Sequence, residues 1–382
     1  MVAGIGLQMQ SVAIAWEVYE RTNSAMALGL MGLAQAVPVV ALALAGGQAA
    51  DVFDRRRIVI LSQVVFALAA GGLAVISATH GPIWGMYALL VVAGAARAFN
   101  SPARAALLPL IVEPEVFANA VTWNSGMFQV AAIAGPALGG LLIAATHTAW
   151  VVYVCAAGAG LVFAVGLAGV RPRATEPRAT PQSLRALGAG LDHVWREKTI
   201  LAAITLDLFA VLLGGATSLL PIYARDILRV GPTGLGLLKA APYGGALLMA
   251  LVLAHRAPFV RAGRALLWAV AGFGAATIVF GLSRSFVLAL TMLALAGALD
   301  NISVVIRHVL VQMRTPDEVR GRVSAVNSVF IECSNELGGF ESGVVAALFT
   351  PVISVVSGGI GTIVVVAAIA WTWPEIRRLG RI

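Results

Sequence analysis

Polar residues in this 382-residue chain fall into short clusters, and between the clusters lie apolar stretches close to twenty residues long. A helix rises 1.5 Å per residue, so such a stretch matches the ~30 Å hydrocarbon core of a bilayer. The pattern places these spans at 2–18, 27–50, 58–78, 83–103, 122–145, 149–170, 199–222, 233–255, 264–282, 286–310, 323–348 and 352–373. Lipid offers the backbone no hydrogen-bonding partner, so each span is predicted to be helical. The least apolar interval, 171–198, contains RPRATEPRATPQSLR and reads as a cytoplasmic connector with an amphipathic helix at its end. The expected fold is an all-α polytopic membrane protein with twelve helices in two six-helix bundles. Residues 1–170 form the first bundle, 171–198 the linker, and 199–382 the second bundle with a short cytoplasmic tail. The first span begins almost at Met1 without a basic segment or a small-residue cleavage site, so it does not read as a signal peptide. Gly4–Tyr19 resembles the second half of a membrane helix, and the first helix is expected to be truncated.

Composition supports lipid as the solvent. The chain is 59% hydrophobic and only 12% charged, where a soluble domain needs about 25% charged residues to meet water. The net charge of +8 does not point to nucleic acid, because the arginines sit between spans rather than in a basic domain. The loops at 51–57, 104–118, 171–198, 255–264 and 307–322, with the tail and Arg97, hold 21 of the 26 Lys and Arg residues. Positive excess marks the cytoplasmic side, so both termini are expected there, in a multi-pass protein of the bacterial inner membrane whose basic loops meet anionic lipid. Cys155 and Cys333 lie far apart in separate spans and suggest neither a disulfide framework nor a metal site.

The segment GGQAADVFDRRR, Gly46–Arg57, joins the second and third spans. Gly46 and Gly47 allow close backbone approach, and Asp51 can accept hydrogen bonds or cap a neighbouring helix. A positive-inside anchor accounts for Arg55, Arg56 and Arg57 but not for the glycine-to-acid spacing. This segment resembles the loop signature of the major facilitator superfamily: Gly47, Asp51, Arg55 and Arg56 match, while Asp54 stands where many members carry glycine. The DRRR form is similar to the branch that contains the bacterial enterobactin exporter. The resemblance implies a cytoplasmic latch between the bundles, with Asp51 as its acid and Arg97 or Arg104 as partner. The stretch Ala96–Ala120 is similar to the link between spans four and five in that branch, and its Pro102 and Pro109 are expected to end or redirect helices. Gly135, Pro136 and Gly139 look like the span-five motif of antiporters, which implies export. Asp317, Arg320 and Arg322 resemble a degenerate second copy of the latch.

Ionisable residues inside spans should face the bundle interior, because exposure to lipid is costly. Glu17, Asp207, Asp300, Asn301, Glu332, Asn335 and Glu336 are the candidates for proton coupling or a substrate cavity. Glu332 and Glu336 lie one turn apart on one face, where two carboxylates can share and release a proton; permanently paired structural charges are the alternative. The sequence contains no GxxxxGK[ST] signature for ATP. Its five histidines form no recognised ligand spacing, so an enzyme, a metal or an organic cofactor is not expected. The expected function is proton-coupled export of an amphiphilic small molecule, such as a drug or siderophore, by alternating access, with the proton gradient as energy source. Nothing in the pattern requires more than a monomer. Uptake or facilitated diffusion is the nearest alternative, and a transport-inactive sensor or scaffold is a further one.

Overall fold

The apolar stretches coil into helices in a computed structural model that describes residues 1–170, 172–173, 192, 194–256 and 258–380, apart from the side chains of 118, 317–322, 324–329, 332 and 333. Among the described residues there is no strand. The long helices are α1 (Val2–Thr22), α2 (Ala25–Val52), α3 (Arg55–Ala78), α4 (Ile83–Ile111), α5 (Phe117–Thr146) and α6 (Trp150–Ala168). They are followed by α7 (Lys198–Leu213), α8 (Gly231–Ala254), α9 (Ala262–Leu282), α10 (Phe286–Arg314), α11 (Asp317–Leu348), α12 (Pro351–Thr372) and the single turn α13 (Pro374–Arg377). Among the described residues, ten helices are long and apolar enough to cross a membrane. The two long helices outside that set, α1 and α11, carry several of the ionisable candidates. At 21 residues α1 exceeds the span read from hydropathy and is itself of bilayer length. The linker from 174 to 191 lies outside the described residues.

Two expectations change. Pro102 and Pro109 sit inside α4, which continues to Ile111, so neither ends the helix. Each proline forfeits one backbone bond, a loss that surrounding helices can accommodate. The span predicted at 199–222 is not one continuous helix. It breaks at Gly214–Gly215, continues as a 3₁₀ turn over Ala216–Leu219, and ends as a π-helical turn over Tyr223–Ile227. The break lies where other backbones press in: a Cβ at Gly215 would meet the carbonyl of Gly338, and one at Gly358 would meet that of Leu213.

The chain forms two compact units. One comprises Met1–Asn23, Met31–Gln182 and Val230–Ala240, and the other Ser24–Leu30, Ser183–Arg229 and Ala241–Ile382. In the first, α1 packs on α5 and α6, and α3 packs on α4 and α6. In the second, α7 packs on α11 and α12, and α9 packs on α10 and α12. Shifting each helix of the first pattern by six gives the second, which is the signature of an internal repeat. Small residues make the close crossings possible. A side chain at Gly245 would strike the Ala294 backbone, and one at Gly297 the Pro242 backbone, so α8 and α10 touch main chain to main chain. Gly297→Val should therefore lower stability by about 1–3 kcal/mol through overpacking, read as a drop in the thermal midpoint of the detergent-solubilised protein. An unchanged midpoint would show that this crossing yields without strain.

Candidate functional site

Polar residues in the first unit are drawn into specific contacts by helices that are otherwise apolar. On α1, Glu17 is 5% exposed. Its Oε2 accepts a hydrogen bond from the hydroxyl of Tyr153 on α6 at 2.9 Å, and its Oε1 pairs with Arg21 one turn along at 3.3 Å. Arg21 also donates to the carbonyl of Gly81 in the turn before α4. Glu17 is thus compensated in place and ties α1, α6 and the α3–α4 turn together. Tyr153 gave no signal in the sequence, since one hydroxyl in an apolar run looks like ordinary packing. On α5, Gly135 and Gly139 lie four residues apart and admit the α1 backbone: Cβ atoms there would meet Ile5 and Gln8, and Met9, respectively. The carbonyl of Pro136 lies against Gly236 of α8. Lys239, on the same helix, donates from Nζ to the Ser11 carbonyl at 3.1 Å and to its hydroxyl at 2.6 Å.

The loop between α2 and α3 is built differently from its sequence reading. Asp54 caps α3, accepting from the amides of Arg56 and Arg57, while Asp51 is partly buried and makes no hydrogen bond or ion pair among the described residues. Arg55 donates back to the Ala50 carbonyl at 3.0 Å. Arg56 closes over the end of α6, bonding the carbonyls of Leu167 and Ala168. Arg104 lies over the Phe163 ring at 5.9 Å from its centre, a cation–π contact. Arg97 is exposed. The pairing of Asp51 with Arg97 or Arg104 is therefore not made in this structure. The close approach falls at Gly46, whose Cβ would collide with the Ala98 carbonyl, whereas Gly47 faces open space. The side chains of Asp317, Arg320 and Arg322, the second copy, lie outside the described residues.

In the second unit the charges gather on α7 and α10. Arg307 is 2% exposed and Asp207 7% exposed, and the two form an ion pair between these helices. The Arg307 Nε, also buried, has no hydrogen-bond partner among the described residues. Asp300 precedes Arg307 by seven residues, two turns along one face of α10 and about 10 Å up its axis. Asp300 is partly buried and makes no hydrogen bond or ion pair among the described residues. Beside it, the Oδ1 of Asn301 is buried and likewise has no partner among them. Asp207 neutralises Arg307, so this patch holds one compensated pair and one carboxylate without a counter-charge. On α11, Asn335 is exposed and its Nδ2 donates to its own helix at the Ile331 carbonyl, while Glu336 is partly buried. The Glu332 side chain lies outside the described residues.

Comparison with known proteins agrees with this architecture. The sequence profile of a family described as transmembrane secretion effector, within the MFS group, matches residues 1–378. The chain is 24% identical over 376 residues to the enterobactin exporter EntS of Escherichia coli, covering 98% of this chain and 90% of the relative. It is 28% identical over 354 residues to the multidrug efflux pump Tap of Mycolicibacterium fortuitum, covering 88% and 85%. Among solved structures, an inward-facing, occupied bacterial homologue of the human lysosomal transporter Spinster superposes with a TM-score of 0.75 at 14% identity, over 98% of this chain and 96% of that one. A D-xylose–proton symporter superposes with a TM-score of 0.73, also at 14% identity, over 99% and 97%.

Proposed function

This chain belongs to the transmembrane secretion effector family of the major facilitator superfamily, a multi-pass membrane transporter, and we propose that it exports amphiphilic small molecules in exchange for protons. Residues 1–170 and 199–382 act as two six-helix bundles, joined by the connector 171–198, that rock about a central pathway in alternating access. Relatives named as exporters of enterobactin and of drugs support the outward direction and the substrate class. Asp300 carries the proton. The observation behind this assignment is its isolation: Glu17 is held by Arg21 and Tyr153, and Asp207 by Arg307, whereas Asp300 has no partner among the described residues. An uncompensated charge within a span costs about 2.5–3.5 kcal/mol or more. The carboxyl is therefore at rest as the neutral acid when sealed from water, and gives up its proton when water reaches it. The loop residues Gly47, Asp51, Arg55 and Arg56, with Arg97, Arg104, Asp317, Arg320 and Arg322, are the cytoplasmic gate.

Purified protein in sealed proteoliposomes with an imposed pH gradient tests the reading against a panel of siderophores and cationic drugs. Substrate should accumulate on the acidic side and stop accumulating when an ionophore collapses the gradient. Flux that ignores the ionophore would rule out proton exchange, and movement of no panel member would reject the substrate class.

A further inference from the structure

The chain after α12 turns back onto the first turn of α9. The amides of Ala262 and Gly263 donate to the carbonyls of Gly380 and Leu379, at 3.1 and 3.3 Å. Ile376 and Leu379 are buried in one apolar cluster with Ala262, Leu266 and Ile369. No side chain fits at Gly263, where a Cβ would strike the Ile376 carbonyl. These contacts fix the register of the tail. They bring together four arginines that the sequence separates by more than a hundred residues: Arg261 and Arg264 at the start of α9, and Arg377 and Arg378 in the tail.

All four are exposed, and none of their guanidinium groups makes a hydrogen bond or ion pair among the described residues. Glu375 is the only acid in the tail from 374 to 380, and it too is exposed. Trp268 stands six residues into α9, about 9 Å along its axis, and is 76% exposed; Trp371 in the last turn of α12 is 83% exposed. Indole rings open on spanning helices belong at the headgroup level, where one edge is apolar and the other wet. The corner therefore places two aromatic anchors at the membrane boundary with four unneutralised cations just beyond it.

We infer that this corner binds an anionic phospholipid, the four guanidinium groups holding its phosphodiester and the two tryptophans flanking its glycerol and upper acyl chains. Guanidinium pairs with phosphate oxygens in two parallel charge-assisted bonds, a fit that zwitterionic headgroups oppose with their own cation. A free phosphate would meet the arginines but leave both indoles without a partner, which is why lipid is the occupant. The bound lipid clamps the tail to α9 and so braces the corner of α9, α12 and α13. This inference rests on the membrane fold alone and stands or falls independently of export.

The test uses full-length protein in phosphatidylcholine nanodiscs with graded phosphatidylglycerol, followed by native mass spectrometry of the lipid retained after extraction. Wild type should retain phosphatidylglycerol in preference to phosphatidylcholine. The variant R261Q/R264Q/R377Q/R378Q should lose at least about tenfold of that retention, given roughly fivefold per surface arginine. E375Q removes the opposing charge and should raise retention, whereas R284Q, at the far end of α9, should leave it unchanged. Equal retention by wild type and the fourfold variant, no preference over phosphatidylcholine, or full displacement by inorganic phosphate at matched concentration would each overturn the inference. Should the fourfold variant fail to fold, the E375Q protein decides: unchanged or weakened retention rejects the site.

Discussion

Asp300→Asn should abolish uphill transport while leaving downhill exchange intact. One pH unit across the membrane is worth about 1.4 kcal/mol per proton, equivalent to a tenfold concentration ratio. With one proton exchanged per substrate, wild-type proteoliposomes should hold a substrate gradient of about tenfold per pH unit, and the Asp300→Asn protein a ratio near one. Asparagine keeps the shape and the hydrogen-bonding edge of the side chain but has no proton to exchange, so substrate can still cross with no coupling to the gradient. The assignment is specific because the other resolved carboxylates at depth in α1 and α7 are engaged: Glu17 with Arg21 and Tyr153, Asp207 with Arg307. Glu336→Gln provides the contrast. If Asp300 carries the proton, the Glu336 variant should still build a gradient. A full tenfold ratio in the Asp300→Asn protein would remove Asp300 from the mechanism, and collapse only in the Glu336 variant would transfer the role to α11.

The ion pair between Arg307 and Asp207 should yield the largest change in stability. Both side chains are buried, so removing one leaves the other charged, desolvated and without its partner. Asp207→Leu or Arg307→Met alone should destabilise the second unit by about 3–5 kcal/mol, whereas the double substitution should recover much of that loss, since an apolar pair of similar volume is often as stable as a buried ion pair. Thermal and denaturant unfolding in one detergent would measure the cycle. Additive losses in the double variant would show that the two residues are not coupled and that their contact contributes nothing. The orphaned Arg307 Nε argues in the same direction, because the pair is incompletely satisfied even in the native protein. The double variant also separates stability from transport: proton coupling that survives in it confirms that this pair braces α7 against α10 rather than carrying the proton.

How much of this was legible beforehand can be judged from individual residues. Helix positions were readable because lipid imposes length and apolarity on every span, and the loop signature at 46–57 identified the family. Asp207 was visible as a charge at depth, but its pairing with Arg307 was not, because 100 residues separate them and hydropathy carries no information about which helix faces which. Asp54 rather than Asp51 caps α3, which depends on the residue at which the helix starts, and Gly46 rather than Gly47 packs against α4, which depends on helix phase.

Solvation is what the sequence determined by itself. A chain this apolar, with its charge confined to short clusters, has to place helices across a bilayer, and the energy of exposing backbone or charge to lipid is large enough to decide that without any knowledge of packing. Pairing between helices belongs to the tertiary structure alone. Glu17 meets Arg21 one turn along its own helix, but whether a carboxylate is neutralised across helices, as at Asp207, or stands without a counter-charge, as at Asp300, is fixed by which side chain a neighbouring helix brings within about 4 Å. The helix break at Gly214–Gly215 and the gathering of four arginines against α9 arise in the same way. Contacts of that range depend on rotation and crossing of helices, which many apolar sequences of the same composition would set differently.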